Sequence, residues 1–162
     1  MEYNEDAQKT LEIIGKGAFL TTGGGDKINT MTIGWGALGR IWQKPAFIVM
    51  VRKSRYTHEL IEKYGEFTVT VPHADMHAEL SFCGTKSGRK IDKIKAMNFE
   101  LLPSKKIKTP ALKMKGIHYE CKTVYKTDMD PEALTENVNS LCYAQGDYHT
   151  IYFGEIVNVT EI

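Results

Sequence analysis

The chain has 162 residues, of which 42% are hydrophobic and 25% are charged, and its formal net charge is +1. These values are typical of one globular domain and exclude a disordered chain or a general preference for nucleic acid. No apolar run approaches the ~20 residues of a membrane span, and the polar start is not typical of a signal peptide. We therefore expect a cytoplasmic protein that contacts neither nucleic acid nor membrane.

The first third of the chain predicts a helix followed by a β-hairpin. The helix ends near Ile14, with Leu11 and Ile14 facing inward. Residues 18–22 and 29–36 predict strands, and the glycines between them predict a tight turn. A further strand is predicted at residues 46–51, which are almost continuously apolar, as in a strand buried on both faces.

The rest of the chain predicts strands separated by short helices. Strands are predicted at residues 67–71, 117–126 and 148–159. Helices are predicted at residues 55–64, 73–82, 89–97 and 130–141. This many strands excludes a helical bundle, and their spacing does not fit regular βαβ units. The pattern therefore predicts a mainly β fold, an antiparallel barrel with helices packed outside it.

The strand at residues 29–36 carries an unusual face. Along it, Met31, Ile33 and Trp35 alternate with Thr30, Thr32 and Gly34. Small hydroxyls and a bare backbone would let a flat ligand lie close to the main chain. The same face would also suit a barrel strand that packs tightly against its neighbours, and the strand alone does not distinguish these two interpretations.

Two apparent motifs lack the context that their chemistry needs. Residues 34–39 match G-x-G-x-x-G, but Pro45 follows too soon for the helix that a nucleotide-binding fingerprint requires. His73 and His77 share a face of a predicted helix, yet no third ligand or catalytic glutamate accompanies them, so we predict no metal site. The order and spacing of the residues also reveal no nucleophile–base pair, which favours chemistry carried by a cofactor.

Residues 52–57 are suited to holding a phosphate. They connect a buried strand to a predicted helix, whose first turn offers free N–H groups and a partial positive charge. The polar side chains in this segment include those of Arg52, Ser54, Arg55 and Thr57. Arginine can grip phosphate oxygens in a fork, and the hydroxyls can donate to them. A capped surface helix with solvated arginines would share these features, so both interpretations stay open.

Two further segments carry candidate polar groups. Residues 83–90 form a loop of glycines, hydroxyls and cations that includes Lys86, Ser87 and Arg89. This loop could close over the same phosphate, although by itself it is more typical of a basic surface turn. His149 opens the last predicted strand, where it could line a ligand cleft and donate a proton near neutral pH.

Taken in chain order, these segments resemble the flavin reductase-like, FMN-binding split-barrel family, which includes flavoredoxin-type proteins. The resemblance rests on residues 29–36, 44–45, 51–57, 65–69, 84–89, 92–93, 120–122, 147–150 and 154–156. It implies a single domain over residues 1–162, folded as an antiparallel Greek-key split β-barrel. It also implies a homodimer with FMN at or near the subunit interface.

The resemblance further implies that residues 29–35 lie along the isoalloxazine ring and that residues 54–57, helped by 86–89, hold the phosphate. The cofactor-binding residues expected on this basis are Asn29, Thr30, Met31, Thr32, Ile33, Gly34, Trp35, Arg52, Ser54, Arg55, Thr57, Lys86, Ser87, Arg89 and Lys93. His149 is the catalytic candidate, and His149 or Lys93 could donate a hydrogen bond to the N1/O2 edge of the flavin. Many family members carry serine at the position of Gly34, so one hydroxyl near the flavin is missing here.

The activity implied by the resemblance is that of a flavin reductase. NADH or NADPH would transfer hydride to the flavin, and the electrons would pass to a partner protein or to oxygen. One alternative is a flavoredoxin-like electron carrier that holds FMN without a nicotinamide site of its own, because the sequence offers no nicotinamide motif. Another is a structural or heme-binding split-barrel relative that holds no flavin.

Overall fold

The computed structural model describes residues 3–162, with side chains described from Asp6 onward. The α-helices are α1 (Tyr3–Ile14), α2 (Tyr56–Tyr64), α3 (His77–Thr85), α4 (Lys93–Ala96) and α5 (Glu136–Cys142). The strands are β1 (Ala18–Gly24), β2 (Lys27–Ile33), β3 (Ala37–Ile41), β4 (Lys44–Arg52), β5 (Glu66–Pro72), β6 (Leu101–Leu102), β7 (Ala111–Leu112), β8 (Gly116–Asp128) and β9 (His149–Glu161).

Seven of these strands form one antiparallel sheet in the order β2-β1-β5-β8-β9-β4-β3. Met31 and Ile33 of β2 share a hydrophobic core with Phe47 and Val49 of β4, although these strands lie towards opposite ends of the sheet. The sheet is therefore rolled around its core, with the helices outside it. This confirms the predicted mainly β class, antiparallel with peripheral helices.

Several predicted turns and helix ends are confirmed. The β1–β2 hairpin pairs Ala18 with Ile33 and Gly24 with Lys27. At Gly23, with φ 120°, a Cβ would lie 2.0 Å from the Lys27 carbonyl oxygen, so glycine is required there. Helix α2 ends at Gly65, which adopts φ 65° and donates its N–H to the Ile61 carbonyl.

The segment after β2 forms a strand that was not predicted from the sequence. Residues 37–41 form β3, which pairs with β4 through a turn at Trp42 and Gln43. Both turn residues have positive φ, 50° and 60°, and two such residues in sequence suit the twist of a tight hairpin. The turn carries no glycine, so β3 was not predicted. The structure does confirm that no helix follows Gly39 and precedes Pro45.

Three helix predictions were wrong in detail. Leu11 is 52% exposed and faces away from the core, whereas Ile14 is buried as predicted. Helix α3 begins at His77, so His73 lies outside it and the two histidines share no helical face. Residues 130–141 form a 3-10 turn at Pro131–Ala133 and then α5, because Leu134 is extended and Thr135 caps a new helix.

Three short helices frame one end of the β1–β2 hairpin. Helix α2 packs on β1 and β2, and α3 and α4 pack on β2. Within residues 3–162, no helix has the length and apolar character needed to cross a membrane. The cleft described next lies where these helices meet the hairpin.

Candidate functional site

Two adjoining cavities form one cleft beside β2. The open half is lined by Met31, Thr32, Ile33, Gly34, Trp35, Met50, Arg52, Arg55 and His149. The closed half is lined by Asn29, Ser54, Arg55, Tyr56, Thr57, Thr85, Lys86, Ser87, Gly88 and Lys93. Arg55 lines both halves, so the cleft is continuous past its side chain. Most of the site residues predicted from the sequence therefore come together here.

The closed half contains the N-terminus of α2. In the described part of the chain, the N–H groups of Tyr56 and Thr57 donate to no acceptor, as expected for the first turn of a helix. Asn29 donates its side-chain N–H to the Thr57 hydroxyl at 2.9 Å and fixes its position. The helix dipole adds a partial positive charge at this point. An anion in the closed half would meet free donors on this side.

Lys93 places a buried cation on the other side of the closed half. Its ammonium donates to the carbonyl oxygens of Thr30 and Cys83, both at 2.9 Å, and the residue is only 3% exposed. An ammonium has three donors, so one remains for a ligand. Burial, with the nearby charge of Arg55, lowers the pKa of Lys93 to about 8. Lys93 lines the closed half and not the open half.

Arg55 joins the two halves. Its guanidinium donates to the carbonyl oxygens of Gly84 at 2.6 Å and Cys83 at 3.2 Å, at the C-terminal end of α3. Burial lowers its pKa, partly opposed by the negative charge of Asp147. A guanidinium has five N–H donors, so these two contacts leave donors for the cleft. Arg55 thus holds the loop after α3 and contributes positive charge to the cleft.

The loop at residues 86–89 closes the site from above. Lys86 and Ser87 line the closed half, and Arg89 donates to the Ser54 carbonyl at 2.8 Å while lying 5.5 Å from the Tyr56 ring centre. At Gly88, a Cβ would lie 2.0 Å from the Asn29 side-chain oxygen and 2.9 Å from the Tyr56 ring. This loop can approach α2 only because residue 88 is glycine.

Arg52 and Ser54 line the cleft, and their side chains also contact the segment before β9. Arg52 donates to the carbonyls of Cys142 and Asp147, both at 2.9 Å, and lies 5.0 Å from the Tyr143 ring centre. The Ser54 hydroxyl and N–H both donate to the Asp147 carboxylate, at 2.5 and 3.2 Å. Helix α2 begins one residue later than predicted, because Arg55 occupies its N-cap position, without a side-chain cap hydrogen bond.

The hydroxyls of the β2 face are less available than the sequence suggested. Thr30 is fully buried, and its hydroxyl bonds to the Thr21 hydroxyl at 3.1 Å and the Leu20 carbonyl at 3.4 Å. Thr32 lines the open half but donates to the Leu80 carbonyl at 2.6 Å. Thr30 lies outside both halves, so the tight-packing interpretation holds for it. The backbone of β2 is the part left to face a ligand.

The open half ends at an aromatic pair. Trp35 is 47% exposed, and its ring centre lies 5.6 Å from that of His149. Burial and the positive charge of Arg52 lower the pKa of His149 to about 4. Its Nδ1 lies 2.6 Å from the Tyr143 hydroxyl. The imidazole is therefore neutral at pH 7, so one ring nitrogen can donate a hydrogen bond and the other can accept one, and a catalytic role for His149 stays a prediction.

The predicted site residues did not include Met50, Tyr56, Thr85 and Gly88, which line the cleft, or Tyr143 and Asp147, which hydrogen-bond to lining residues. Only Asp147 had a local signal, since it follows a glycine directly before a strand, where a turn residue with an unusual backbone is common. Its φ is indeed positive, 55°. Among the described residues, no group of three His, Cys, Asp or Glu side chains is placed to hold a metal ion.

Comparisons with known proteins give a consistent picture. The family model of the flavin reductase like domain matches residues 14–162. An uncharacterized protein of Archaeoglobus fulgidus is 32% identical over 142 residues, which cover 88% of this chain and 70% of that protein. A second uncharacterized protein, from Pyrococcus abyssi, is 36% identical over 109 residues, 67% of this chain and 60% of that protein.

Solved structures agree with the family match. Flavoredoxin from Methanosarcina acetivorans superposes with a TM-score of 0.71 at 26% identity, over 90% of this chain and 68% of that one. The likeness extends over most of the rolled sheet and its helices.

Proposed function

Because the chain belongs to the flavin reductase-like family, we propose that it binds FMN in this cleft and acts as an oxidoreductase. NADH or NADPH would be the electron donor, and a redox protein or oxygen the acceptor. The observation that carries the proposal is the closed half, where Lys93, Arg55 and the free N–H groups of α2 surround one small cavity. Three kinds of donor around one space suit a phosphate monoester.

The residues of both halves fit FMN. The closed half would hold its phosphate through Lys93, Thr57 and the loop at residues 86–88. The open half would hold the isoalloxazine along the β2 backbone and beside Trp35. At Gly34, a Cβ would meet nothing within 4 Å, so there is free space above this part of the strand. A flat ring needs such space against a backbone.

The protein contributes position and electrostatics to the proposed reaction. When bound, FMN supplies the two-electron chemistry, because it can accept hydride and return electrons singly or in pairs. Lys93 and the N-terminus of α2 would neutralise the phosphate and fix the cofactor along the cleft. If the Tyr143 hydroxyl donates to Nδ1 of His149, then Nε2 carries the proton and can donate to a ligand in the open half.

We propose that a second copy of the chain covers the open half. The outer face of the sheet carries Ile48, Phe153 and Tyr125 in one cross-strand row. Trp42 extends it, with its ring centre 5.8 Å from those of Tyr125 and Phe153. Trp42 is 57% and Tyr125 48% exposed. Met50 occupies the same outer face and lines the open half, so a homodimer formed through this surface would place FMN near the interface.

Arg55→Ala tests the cofactor site directly. The affinity for FMN should fall by roughly 1.5–3 kcal/mol, because a charge-assisted hydrogen bond and a positive charge are lost from the cleft. Titration of FMN into the protein, followed by quenching of flavin fluorescence, measures this. Arg40→Ala, at an exposed position of β3, is the matched control and should bind FMN as the wild type does. Unchanged affinity in Arg55→Ala would contradict the proposal.

The electron donor needs a separate experiment. NADH or NADPH is added to the FMN-loaded protein without oxygen, and the flavin absorbance near ~450 nm is followed. Rapid bleaching supports a reductase. Slow bleaching with both donors, together with fast electron exchange with a redox protein, supports the alternative of a flavoredoxin-like electron carrier without a nicotinamide site. Failure to bind FMN at all would support the flavin-free alternative.

A further inference from the structure

A separate cavity lies next to the N-terminal end of β1, where Lys16 and Gly17 precede the strand. This α1–α3 groove runs between the end of α1 and the start of α3, and its volume is about 520 Å³. Small-molecule sites span roughly 300–1,000 Å³, with an apolar lining and a few polar groups. Ile13, Pro72, Met76 and Leu80 supply apolar surface here. The flavin site proposed above leaves this groove unused.

The groove lies directly beside the open half. Ala18 of β1 pairs with Ile33 of β2, which places Gly17 next to Gly34 at the end of the hairpin. Neighbouring strands are ~4.8 Å apart. Leu80 forms the partition, because its carbonyl accepts from Thr32 of the open half while its side chain lies against Gly17 of the groove. A molecule with one end over Gly34 can reach the groove with its other end.

The groove carries basic side chains without partners. Within residues 6–162, the side chains of Lys16 and His77 make no hydrogen bond or ion pair. Two acids lie nearby, and one of them, Asp75, accepts from the His77 backbone N–H at 3.1 Å. Glu161 lies 3.2 Å from His73 and 3.4 Å from Lys9. Lys16 and His77 thus offer side-chain donors to an anion in the groove, while the Asp75 carboxylate adds one negative charge to the same lining.

We propose that the α1–α3 groove binds the adenosine end of the electron donor, and that Lys16 and His77 select the 2′-phosphate of NADPH over the 2′-hydroxyl of NADH. The apolar surface would hold the adenine. The nicotinamide end would then cross the hairpin end and reach the open half. This inference rests on the proposed function for the identity of the donor, but the groove can be tested without any flavin.

The test measures binding of 2′,5′-ADP and of 5′-AMP to the purified protein by calorimetry. We expect 2′,5′-ADP to bind about tenfold or more tightly than 5′-AMP, the usual effect of a charge-assisted contact to one phosphate. Lys16→Ala should remove most of this preference. Lys27→Ala removes an exposed lysine at the far end of the same hairpin and should leave it unchanged. Ala74→Trp, which fills the groove, should abolish binding of both nucleotides.

FMN titrations on the same proteins separate the two proposals. We expect every variant to bind FMN with wild-type affinity, since none of these residues lines the cleft. If wild-type protein binds FMN but neither nucleotide, or if Ala74→Trp binds both nucleotides normally, the inference is overturned and the flavin proposal stands. If 2′,5′-ADP binds with the expected preference while FMN does not bind, the flavin proposal fails instead. Equal affinity for the two nucleotides overturns the selection of NADPH.

Discussion

The two halves of the cleft differ in how much of a binding site one chain completes. In the closed half, Asn29, Thr57 and Lys93 are each less than 5% exposed and are held by hydrogen bonds within the chain. In the open half, Trp35 is half exposed and Gly34 faces free space. In the proposed complex, the phosphate end of FMN would therefore meet contacts that a single chain has already formed. The ring end would be completed by the proposed partner copy and by a substrate.

The largest effect on the difference between the two halves is expected from Lys93→Met. It removes the buried cation of the closed half, so FMN affinity should fall by roughly 100-fold, the upper range for a charged hydrogen bond. Riboflavin, which has no phosphate, should lose little affinity. Lys95→Met is the control, because Lys95 is on the same helix with a side chain 87% exposed. Equal losses for FMN and riboflavin would show that the closed half does not hold the phosphate.

Phe153→Arg tests whether the open half depends on a second copy. An arginine in the outer apolar face should dissociate the homodimer, seen by sedimentation velocity. FMN and riboflavin should then both bind roughly tenfold more weakly, because the apolar surface of the flavin ring stays exposed to water. Leu11→Arg changes an exposed leucine on α1 and should keep the dimer. A monomeric variant with unchanged flavin affinity would mean that one chain completes the ring site.

The pH dependence of binding should also separate the halves. Lys93 loses its charge as the pH rises through about 8, so FMN affinity should weaken by roughly tenfold between pH 7 and pH 9. Riboflavin affinity should stay nearly constant over that range. A flat FMN profile would contradict the assignment of Lys93 to the phosphate.

The Lys93 ammonium should also make the stability of the flavin-free protein depend on pH. Its folded pKa lies below the ~10.4 of an unfolded lysine, so between these values the unfolded chain binds more protons. The free energy of unfolding should therefore rise with pH from about 8 to ~10.4 relative to Lys93→Met. Urea unfolding of both proteins at each pH measures the difference. The opposite slope would mean that burial does not disfavour the charged lysine.

The smallest effect is expected for Gly34→Ser. The position has room for a side chain and normal φ, so the variant should fold as the wild type does. The added hydroxyl should change FMN affinity only by roughly 0.5–1.5 kcal/mol, the range of one neutral hydrogen bond. The reduction potential of the bound flavin, measured by dye equilibration, should shift at the same time. No change in either quantity would place the ring away from Gly34.

Much of the fold follows from the sequence, because the signals involved are local. The glycines at 23 and 65 and the alternation in residues 67–71 correctly predict a hairpin, a helix end and a strand. Strand β3 was not predicted because its turn consists of Trp42 and Gln43, whose positive φ is imposed by the twist of the paired strands. Leu11 was misplaced because helical spacing alone does not reveal which face is covered.

The site was predictable in composition but not in partners. Arg55, Lys86 and Ser87, which the sequence placed around one phosphate, do line one cavity, and Lys93 lines it with them; that they bind a cofactor stays a prediction. Sequence could not show that Asp147 would accept from Ser54, or that Tyr143 would contact His149, because these contacts join segments by the pairing of β4 with β9. The neutral state of His149 follows from burial, which no spacing encodes.

The sheet order has a consequence for how the chain is made. Strands β1, β2 and β5 are joined to β3 and β4 only through β8 and β9, which come last in the sequence. During synthesis the earlier strands emerge first, yet β4 has no sheet neighbour besides β3 until β9 arrives. The two walls of the open half can therefore be joined through the sheet only after β9 has formed. We expect the proposed capture of flavin to follow the pairing of β9 with β4.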